Sequence, residues 1–118
     1  MIYTTYYSKL GTLPDHVQPY AISNGLPDGI QIPRLYEFAP LWTSVVEYKN
    51  TGDFERFRKN YLGKLERVSI EGLLKLCEDS DIALVCYEKD ATRCHRSILA
   101  EYIRTNSTMM VEEWGCGS

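Results

Sequence analysis

The sequence predicts a small α/β domain in which a mainly parallel sheet and flanking helices form three Rossmann-like layers. Near the C-terminus, an apolar run at 82–86 precedes a helical pattern and then a β-rich run at 109–111. A strand, a helix and a strand in this order indicate a right-handed crossover between parallel strands. The chain has 118 residues, of which 44% are hydrophobic, which suffices for one domain with a core. We expect residues 1–118 to form that domain, with a flexible tail at 113–118.

Two strands and a long loop are predicted for the first 40 residues. Residues 2–8 are aromatic and β-branched, which favours a strand, and residues 20–23 favour a second one. The run N-G-L-P-D-G follows, and its Asn, Gly and Pro residues favour turns. A loop over 24–40 is long for so small a domain, and loops of this length are often functional. This loop carries Arg34, a candidate ligand-binding residue.

Helices are predicted between this loop and the C-terminal strand. The first covers 41–49 and ends near a Thr-Gly-Asp break. The second follows, because apolar residues recur there at three- and four-residue steps: Phe54, Phe57, Tyr61 and Leu65. Ser69 is the predicted N-cap of the third helix, whose apolar face includes Cys77 as a core residue. The fourth helix is marked by an apolar set: Ile98, Leu99, Tyr102 and Ile103.

Between the 82–86 strand and the last helix lies the polar cluster C-Y-E-K-D-A-T-R-C-H-R. In open parallel sheets, ligands bind beyond the carboxyl ends of strands, where loops lead into helix N-termini. Cys86 and Glu88 are two residues apart, so they point to one side of an extended chain. A helix capped by Asp90 or Thr92 would place the segment 94–96 in its first turn. The cluster is therefore predicted to line a pocket.

Each residue of this pocket suggests a chemical role. A cysteine at a helix N-terminus beside arginines favours the thiolate, so Cys94 is the candidate nucleophile. Glu88 is the candidate acid or base. His95 could assist the chemistry or be a semi-buried histidine that packs on the sheet. The ligand is expected to be small and anionic or polar, and the predicted ligand-binding residues are Cys86, Arg93, Arg96 and Arg34.

Three other interpretations of the cluster stay open. Cys86, Cys94 and His95 are suitable zinc ligands, but adjacent residues on a helix diverge by about 100° and the paired C-x-x-C spacing is absent. We expect no metal, and the lack of G-x-G-x-x-G and G-x-x-x-x-G-K motifs predicts no nucleotide cofactor of those types. In a purely structural interpretation, Glu88 pairs with Arg96, His95 bonds to the backbone and both cysteines pack.

Nucleic-acid binding is the third interpretation. The chain has nine tyrosines, and the candidate phosphate contacts are Arg34, Arg56, Arg58 and Lys59. A formal net charge of −3 does not indicate a nucleic-acid clamp, and the basic residues of the second helix are explained more simply as its solvated face.

The sequence also predicts a cytoplasmic location. It shows no basic leader and no stretch near the roughly 18 apolar residues of a membrane span, so we expect no membrane association. The four cysteines favour free thiols or metal ligands over a disulfide framework, with Cys116 exposed in the tail. No pattern specifies an oligomeric state.

The run V-C-Y-E-K-D-A-T-R-C-H-R-S-I-L-A resembles the C-terminal signature of the domain-of-unknown-function 488 family, in which C-x-E and C-H-R are about five residues apart after a strand. The opening M-I-Y-T-T-Y-Y-S is similar to that family's first strand, and F-E-R-F-R-K-N-Y-L-G-K-L to its middle helix. After the second strand, where many members carry a charged residue, this chain has A-I-S-N-G-L-P. The resemblance implies a compact α/β fold and a shared polar site, which would consist of Cys86, Glu88, Cys94, His95 and Arg96.

Overall fold

The computed structural model describes residues 1–115, in which four parallel strands form one sheet with the order β2-β3-β1-β4. All pairings are parallel, and β1 pairs with β3 on one side and β4 on the other. This architecture confirms the predicted α/β fold with a parallel sheet. The strands are β1 (Ile2–Tyr6), β2 (Gln18–Ala21), β3 (Ile82–Cys86) and β4 (Val111–Glu113).

The described part of the chain also contains four α-helices and three 3₁₀ segments. Three of the helices connect β2 to β3, and the fourth connects β3 to β4. The helices are α1 (Trp42–Thr51), α2 (Phe54–Leu65), α3 (Glu71–Leu76) and α4 (His95–Asn106). The 3₁₀ segments are Tyr7–Thr12, Tyr36–Phe38 and Ala91–Arg93.

The strand β3 is buried on both faces, as its continuous apolar sequence predicts. Ile82, Leu84 and Cys86 pack in the larger core cluster, to which the α-helices contribute. Ala83 and Val85 pack in a smaller cluster with residues of the 3₁₀ segment Tyr7–Thr12 and nearby loops. The α-helices therefore cover one face of the sheet. The β1–β2 connection is too short for a long helix, so 3₁₀ structure and loops form the layer on the other face.

Several element boundaries differ from the prediction. The chain leaves β1 after Tyr6 to enter the 3₁₀ segment, and β2 begins at Gln18, where it pairs with Ile82 of β3. The helix α1 extends to Thr51 because Gly52, with φ of 70°, supplies the left-handed conformation that ends it. The last strand begins at 111 and not at 109, since its register is set by β1.

The third helix and its flanks follow the prediction in part. Cys77 is buried, and its thiol donates to the carbonyl of Leu73 at 3.5 Å, as expected of a core cysteine. Ser69 Oγ accepts the N–H of Glu71 at 3.2 Å, although α3 begins two residues after Ser69 and not directly at it. Within residues 1–115, no helix combines the length and apolar character needed to cross a membrane.

Residues at the predicted tail make specific contacts. Glu113 belongs to β4, and the N–H of Trp114 donates to the carbonyl of Thr4 at 2.7 Å. The Trp114 ring packs edge-on against Tyr3 with centroids 5.4 Å apart, and its indole N–H donates to Thr12 Oγ1 at 2.9 Å. Strand pairing and ring packing therefore hold Glu113 and Trp114, the first two residues of the predicted tail. Cys116 lies outside the described residues.

Candidate functional site

The loop between β3 and α4 brings the predicted cluster to the carboxyl end of the sheet. The Asp90 carboxylate accepts the backbone N–H of Thr92 at 3.0 Å and its hydroxyl at 2.6 Å. Asp90 thus caps the 3₁₀ segment Ala91–Arg93 and not α4, contrary to the predicted cap. Cys94 is the N-cap residue of α4, and His95 is its first helical residue. Cys94 therefore lies just before the first helical turn, at the end of the helix that attracts negative charge.

Cys86 and Cys94 form a pair of adjacent sulfurs, as the predicted pocket requires. Both residues are buried, and their Sγ atoms are in direct contact. Their Cα atoms are 7.7 Å apart, whereas disulfides usually have Cα separations of about 4.4–6.8 Å. This separation is too long for an ordinary disulfide, so the two residues form a thiol pair.

His95 is buried behind the thiol pair, with only 6% of its surface exposed. Its Nε2 lies 2.6 Å from the carbonyl oxygen of Ile22. Because a carbonyl only accepts hydrogen bonds, Nε2 carries the proton and Nδ1 has a free lone pair. Nδ1 lies 3.6 Å from Cys94 Sγ. His95 therefore packs against the sheet, as one of the two alternatives predicted, and its Nδ1 is an acceptor beside the thiol of Cys94.

Burial decides the charge of His95. Desolvation lowers its pKa to about 4, an effect that the hydrogen bond to Ile22 opposes and that the nearby Arg96 guanidinium reinforces. The imidazole is therefore neutral at neutral pH. A neutral imidazole accepts a hydrogen bond from a thiol, but it does not readily retain the thiol's proton.

Arg96 is completely buried, and its guanidinium is fully engaged. Nε and Nη2 donate to the Glu113 carboxylate at 3.0 and 2.9 Å, and Nη2 also donates to the Lys89 carbonyl at 3.0 Å. Nη1 donates to Cys86 Sγ at 3.1 Å and to the Glu88 carbonyl. Since a guanidinium has five N–H donors, these contacts use all of them.

The position of Arg96 corrects two expectations. It was predicted to bind the ligand, but its donors hold the β3–α4 loop to β4. It was also predicted to favour the thiolate of Cys94, but it contacts Cys86 instead. The Glu88 carboxylate does not pair with Arg96 as the structural interpretation proposed, since Arg96 uses the Glu88 carbonyl and the carboxylate of Glu113. The sequence alone could not reveal Glu113 as the partner, because β4 reaches Arg96 only through its pairing with β1.

A cavity of about 960 Å³ opens at this end of the sheet. Its floor contains Cys86, Cys94 and His95, and helices α1 and α2 supply an apolar wall. Residues that the sequence analysis did not select also line it, among them Asn24, Trp42, Tyr48, Lys49, Phe57 and Tyr87. Trp42 and Lys49 are seven residues apart, a helical spacing that places them on one face of α1 and that could have indicated their common position.

Glu88 and Arg93 both line the cavity and are exposed. One Glu88 carboxylate oxygen accepts the N–H of Asp90 at 3.2 Å, which orients it at the start of the loop. Arg93 lies 3.8 Å from the Asp90 carboxylate and leaves 71% of its side chain exposed. These two residues therefore occupy positions from which they can contact a ligand.

Arg34 is not among the residues that line the cavity within the described range 1–115. It lies where the 24–40 loop extends the edge of β2, through a bridge to Ala21. Its Nη2 donates to the Asn24 carbonyl at 2.6 Å, and its guanidinium stacks 4.4 Å from the centre of the Tyr36 ring. Arg34 thus organises the loop beside the cavity, and the predicted direct ligand contact is not supported by its position.

The floor of the cavity has the donor set of a metal site. The sulfur atoms of Cys86 and Cys94 and a ring nitrogen of His95 all lie within 4.8 Å of one another. Two thiolates, one imidazole and an open fourth position suit zinc. The bond from His95 Nε2 to a backbone carbonyl is the outer contact that orients metal-binding histidines. The divergence predicted for adjacent Cys94 and His95 does not arise, because Cys94 precedes the helix.

Comparison with known proteins places the chain in a family. No curated protein and no solved structure matches it. A family model described as "Active DUF488-N3 subclade" matches residues 17–107, a range that contains the thiol pair, His95 and Arg96 but not β1 or β4. This match covers more than half of the sequence and agrees with the C-x-E and C-H-R resemblance. The chain therefore belongs to the DUF488 family, in the subclade DUF488-N3a.

Proposed function

We propose that the protein is a thiol-dependent enzyme that binds a small anionic or polar ligand in the cavity at the strand ends. The observation that carries this proposal is the convergence of Cys86, Cys94 and His95, all buried, on the floor of a large, mostly apolar cavity. Buried cysteines usually serve only as packing residues. Here each sulfur also has a polar neighbour, since Arg96 donates to Cys86 and His95 presents Nδ1 to Cys94.

The two thiols have different roles in this proposal. The Arg96 guanidinium stabilises negative charge on Cys86 Sγ, so the thiolate of the pair resides there. Cys94 is the nucleophile, and its proton passes to the Cys86 sulfur in contact with it as Cys94 forms a bond to the electrophilic atom of the ligand. His95 orients the Cys94 thiol as a neutral acceptor. The leaving group takes up the proton that Cys86 Sγ has accepted, and the Glu88 carboxylate at the cavity rim is placed to act as a base.

Alkylation by iodoacetamide, followed by mass spectrometry, tests the thiol chemistry. Cys116 is replaced by serine, so that only Cys77, Cys86 and Cys94 can be alkylated. The pair should react well below the roughly 8.5 pKa of an ordinary thiol. Cys77 is the internal control, because burial raises the pKa of its thiol. If the pair reacts no faster than Cys77 at every pH in the reduced, folded protein, the proposal is wrong.

A metal-dependent function is the second candidate, and the donor set of Cys86, Cys94 and His95 favours it. A zinc ion bound there would polarise a ligand or activate water at its open position. Elemental analysis of untagged protein, purified without chelators, separates the candidates. Stoichiometric zinc that is lost in Cys94→Ser but kept in Cys77→Ser would replace the thiol enzyme with the metal enzyme, whereas metal-free protein with reactive thiols supports the first proposal.

A further inference from the structure

Aromatic side chains contribute much of the cavity wall. Among the described residues, the tryptophan, tyrosine and phenylalanine side chains that line it are Trp42, Tyr48, Phe57 and Tyr87. Tyr48 and Phe57 stack on each other with ring centroids 5.4 Å apart. They come from α1 and α2, and Phe57 belongs to the main core. Packing between the helices explains these two rings, but it does not explain the other two.

Trp42 and Tyr87 are exposed although they are large and apolar. Trp42 is 59% exposed at the start of α1, and Tyr87 is 55% exposed directly after β3. Exposed aromatic rings at the mouth of a cavity are costly in water unless a ligand covers them. Tyr87 is held in place by an edge-on contact with Tyr7, whose ring centroid is 4.9 Å away. Two exposed rings from different elements therefore line one cavity.

Positive charge accompanies these rings. Lys49 and Arg93 line the cavity, and Glu88 is the carboxylate among its described lining residues. Lys49 Nζ lies 5.6 Å from the centre of the Trp42 ring, which keeps the ammonium group beside the indole. The chain as a whole has a formal net charge of −3, so this excess of cations is local. A ligand that complements it has a planar ring and a negative group.

Hydrogen-bonding groups complete the lining. Ser23, Asn24 and Gly25 follow β2 and form another part of the cavity wall. The Asn24 side-chain amide donates to the Pro40 carbonyl at 2.9 Å, which fixes this side chain at the wall. Amide side chains and backbone groups recognise the edges of heterocyclic rings in the way that they recognise bases. This wall is the part of the cavity that would meet the polar edge of a heterocyclic ring.

We propose that the ligand is a mononucleotide, whose base stacks on Trp42 and Tyr87 and whose phosphate binds Lys49 and Arg93. This inference rests on the proposed function, because it assigns a ligand to the same cavity. A volume of about 960 Å³ lies at the upper end of ordinary ligand pockets and accommodates a molecule of that size. The base and phosphate are separate recognition elements, and the cavity has a separate set of side chains for each.

A nucleotide within a nucleic-acid strand has the same chemistry, but the structure favours the free nucleotide. Two of the four basic residues that the sequence suggested for a strand form ion pairs elsewhere: Arg56 pairs with Glu47, and Arg58 pairs with Glu101 at 3.6 Å. Neither of these arginines lines the cavity as the described residues define it. Strand binding requires a basic groove that continues beyond a single site.

Tryptophan fluorescence provides a local measure of binding. The chain has two tryptophans, and Trp114 packs on Tyr3 away from the cavity lining. In a Trp114→Phe variant, the signal comes from Trp42. Adenosine, guanosine, cytidine and uridine monophosphates are titrated, and at least one should quench the fluorescence to saturation. Its nucleoside, which lacks the phosphate, should bind about tenfold more weakly, because it cannot pair with the cations. Calorimetry with the wild-type chain repeats the measurement without the Trp114 substitution.

Charge variants test the phosphate contact. Lys49→Met and Arg93→Met should each weaken monophosphate binding about threefold to tenfold, with a larger effect at low salt. Lys75→Met is the matched control, since Lys75 is an exposed lysine on α3, and it should leave affinity unchanged. If all three variants bind the monophosphate as tightly as the wild type does, Lys49 and Arg93 do not bind the phosphate.

Three outcomes overturn the inference. No saturable binding of any monophosphate in either assay rejects the nucleotide. Tighter binding of a six-nucleotide single strand, by about tenfold or more, rejects the free nucleotide as the ligand. Binding that Trp42→Ala does not alter rejects this cavity as the site. Failure of the thiol proposal is distinguishable, because alkylation of Cys86 and Cys94 is measured without nucleotide and can succeed when nucleotide binding fails.

Discussion

Arg93 and Arg96 lie three residues apart in one short segment, yet they face different environments. Arg93 is 71% exposed and has one distant carboxylate, that of Asp90 at 3.8 Å. Arg96 has no exposed surface, and it donates to Glu113, Cys86 and two backbone carbonyls. The same residue type thus has two roles. Arg96 holds the site together, whereas Arg93 is exposed and can contact a ligand. Arg93 ends the exposed 3₁₀ segment and Arg96 lies in the buried first turn of α4, so position in the fold decides between these roles and residue type does not.

The largest effect should follow the loss of the buried arginine. Arg96→Met removes five N–H donors and leaves the Glu113 carboxylate without its cation. Breaking a buried ion pair from one side costs about 3–5 kcal/mol, so the free energy of unfolding in urea should fall by an amount in that range. Arg96→Lys should recover only part of the loss, because an ammonium group cannot reach the carboxylate, the sulfur and both carbonyls together. A loss below about 1 kcal/mol in Arg96→Met would contradict the structural role.

His95, which lies between the two arginines, should make stability depend on pH. Burial lowers its pKa from 6.5 to about 4 in the folded state, so the unfolded chain binds the proton first as pH falls. The contribution of neutral His95 to the free energy of unfolding is complete above about pH 6.5. It is lost progressively as pH falls towards 4, by about 3 kcal/mol in total. Urea unfolding at several pH values should show this loss in the wild type and its absence in His95→Gln.

A matched substitution separates His95 from the general effect of acid. His16 is an exposed histidine, hydrogen-bonded to Asp81 at 3.2 Å. His16→Gln should keep the steep loss of stability between pH 6.5 and 4. If His95→Gln and His16→Gln lose stability equally between pH 6.5 and 4, the buried histidine is not the source of the pH dependence.

The partner of Arg96 should be somewhat less costly to change. Glu113→Gln keeps the shape of the side chain and an acceptor oxygen but removes the charge that faces the guanidinium. We expect a loss of about 2 kcal/mol, measured by urea unfolding. In a double-mutant cycle, Arg96→Met and Glu113→Gln should together cost less than the sum of the single changes, because either one removes the pair. Strict additivity would show that the two side chains do not interact.

The exposed arginine should matter least for stability. Arg93→Met removes a weak surface pair with Asp90, and such pairs contribute little. The unfolding free energy should change by no more than about 0.5 kcal/mol. A loss as large as that of Arg96→Met would abolish the distinction between the two arginines, whereas a small loss confirms that Arg93 is free for another task.

The elements that the sequence located well are those with a local cause. The run Ile82–Cys86 is apolar throughout, and the apolar stripe of α2 repeats at helical spacing, so both are visible without knowledge of their neighbours. The boundaries of β2 and β4 depend on pairing with strands far away in sequence, and they shifted by two residues. Local patterns cannot fix such a register.

The candidate site divides in the same way. Its location followed from the cluster after β3, and Cys86, Cys94 and His95 do converge there. The role of Arg96 could not be predicted, because its partner Glu113 arrives on a strand that pairs with β1. The exposed Trp42 also escaped notice, since the prediction took its site residues from the 86–96 cluster and from Arg34, whereas the cavity is also lined by α1.

The position of β1 between β3 and β4 has a consequence for the order of events during synthesis. Among the described strands, β1 comes first along the chain and pairs with the two that come last: Ile2 pairs with Ile82 on one side and with Val111 on the other. At about 5–20 residues per second, roughly 4–16 s separate Ile2 from Ile82 on the ribosome. Arg96 is likewise translated about 1–3 s before Glu113, the carboxylate with which it pairs. The centre of this sheet therefore forms late, and the nascent chain completes its site only after nearly every residue described above has been translated.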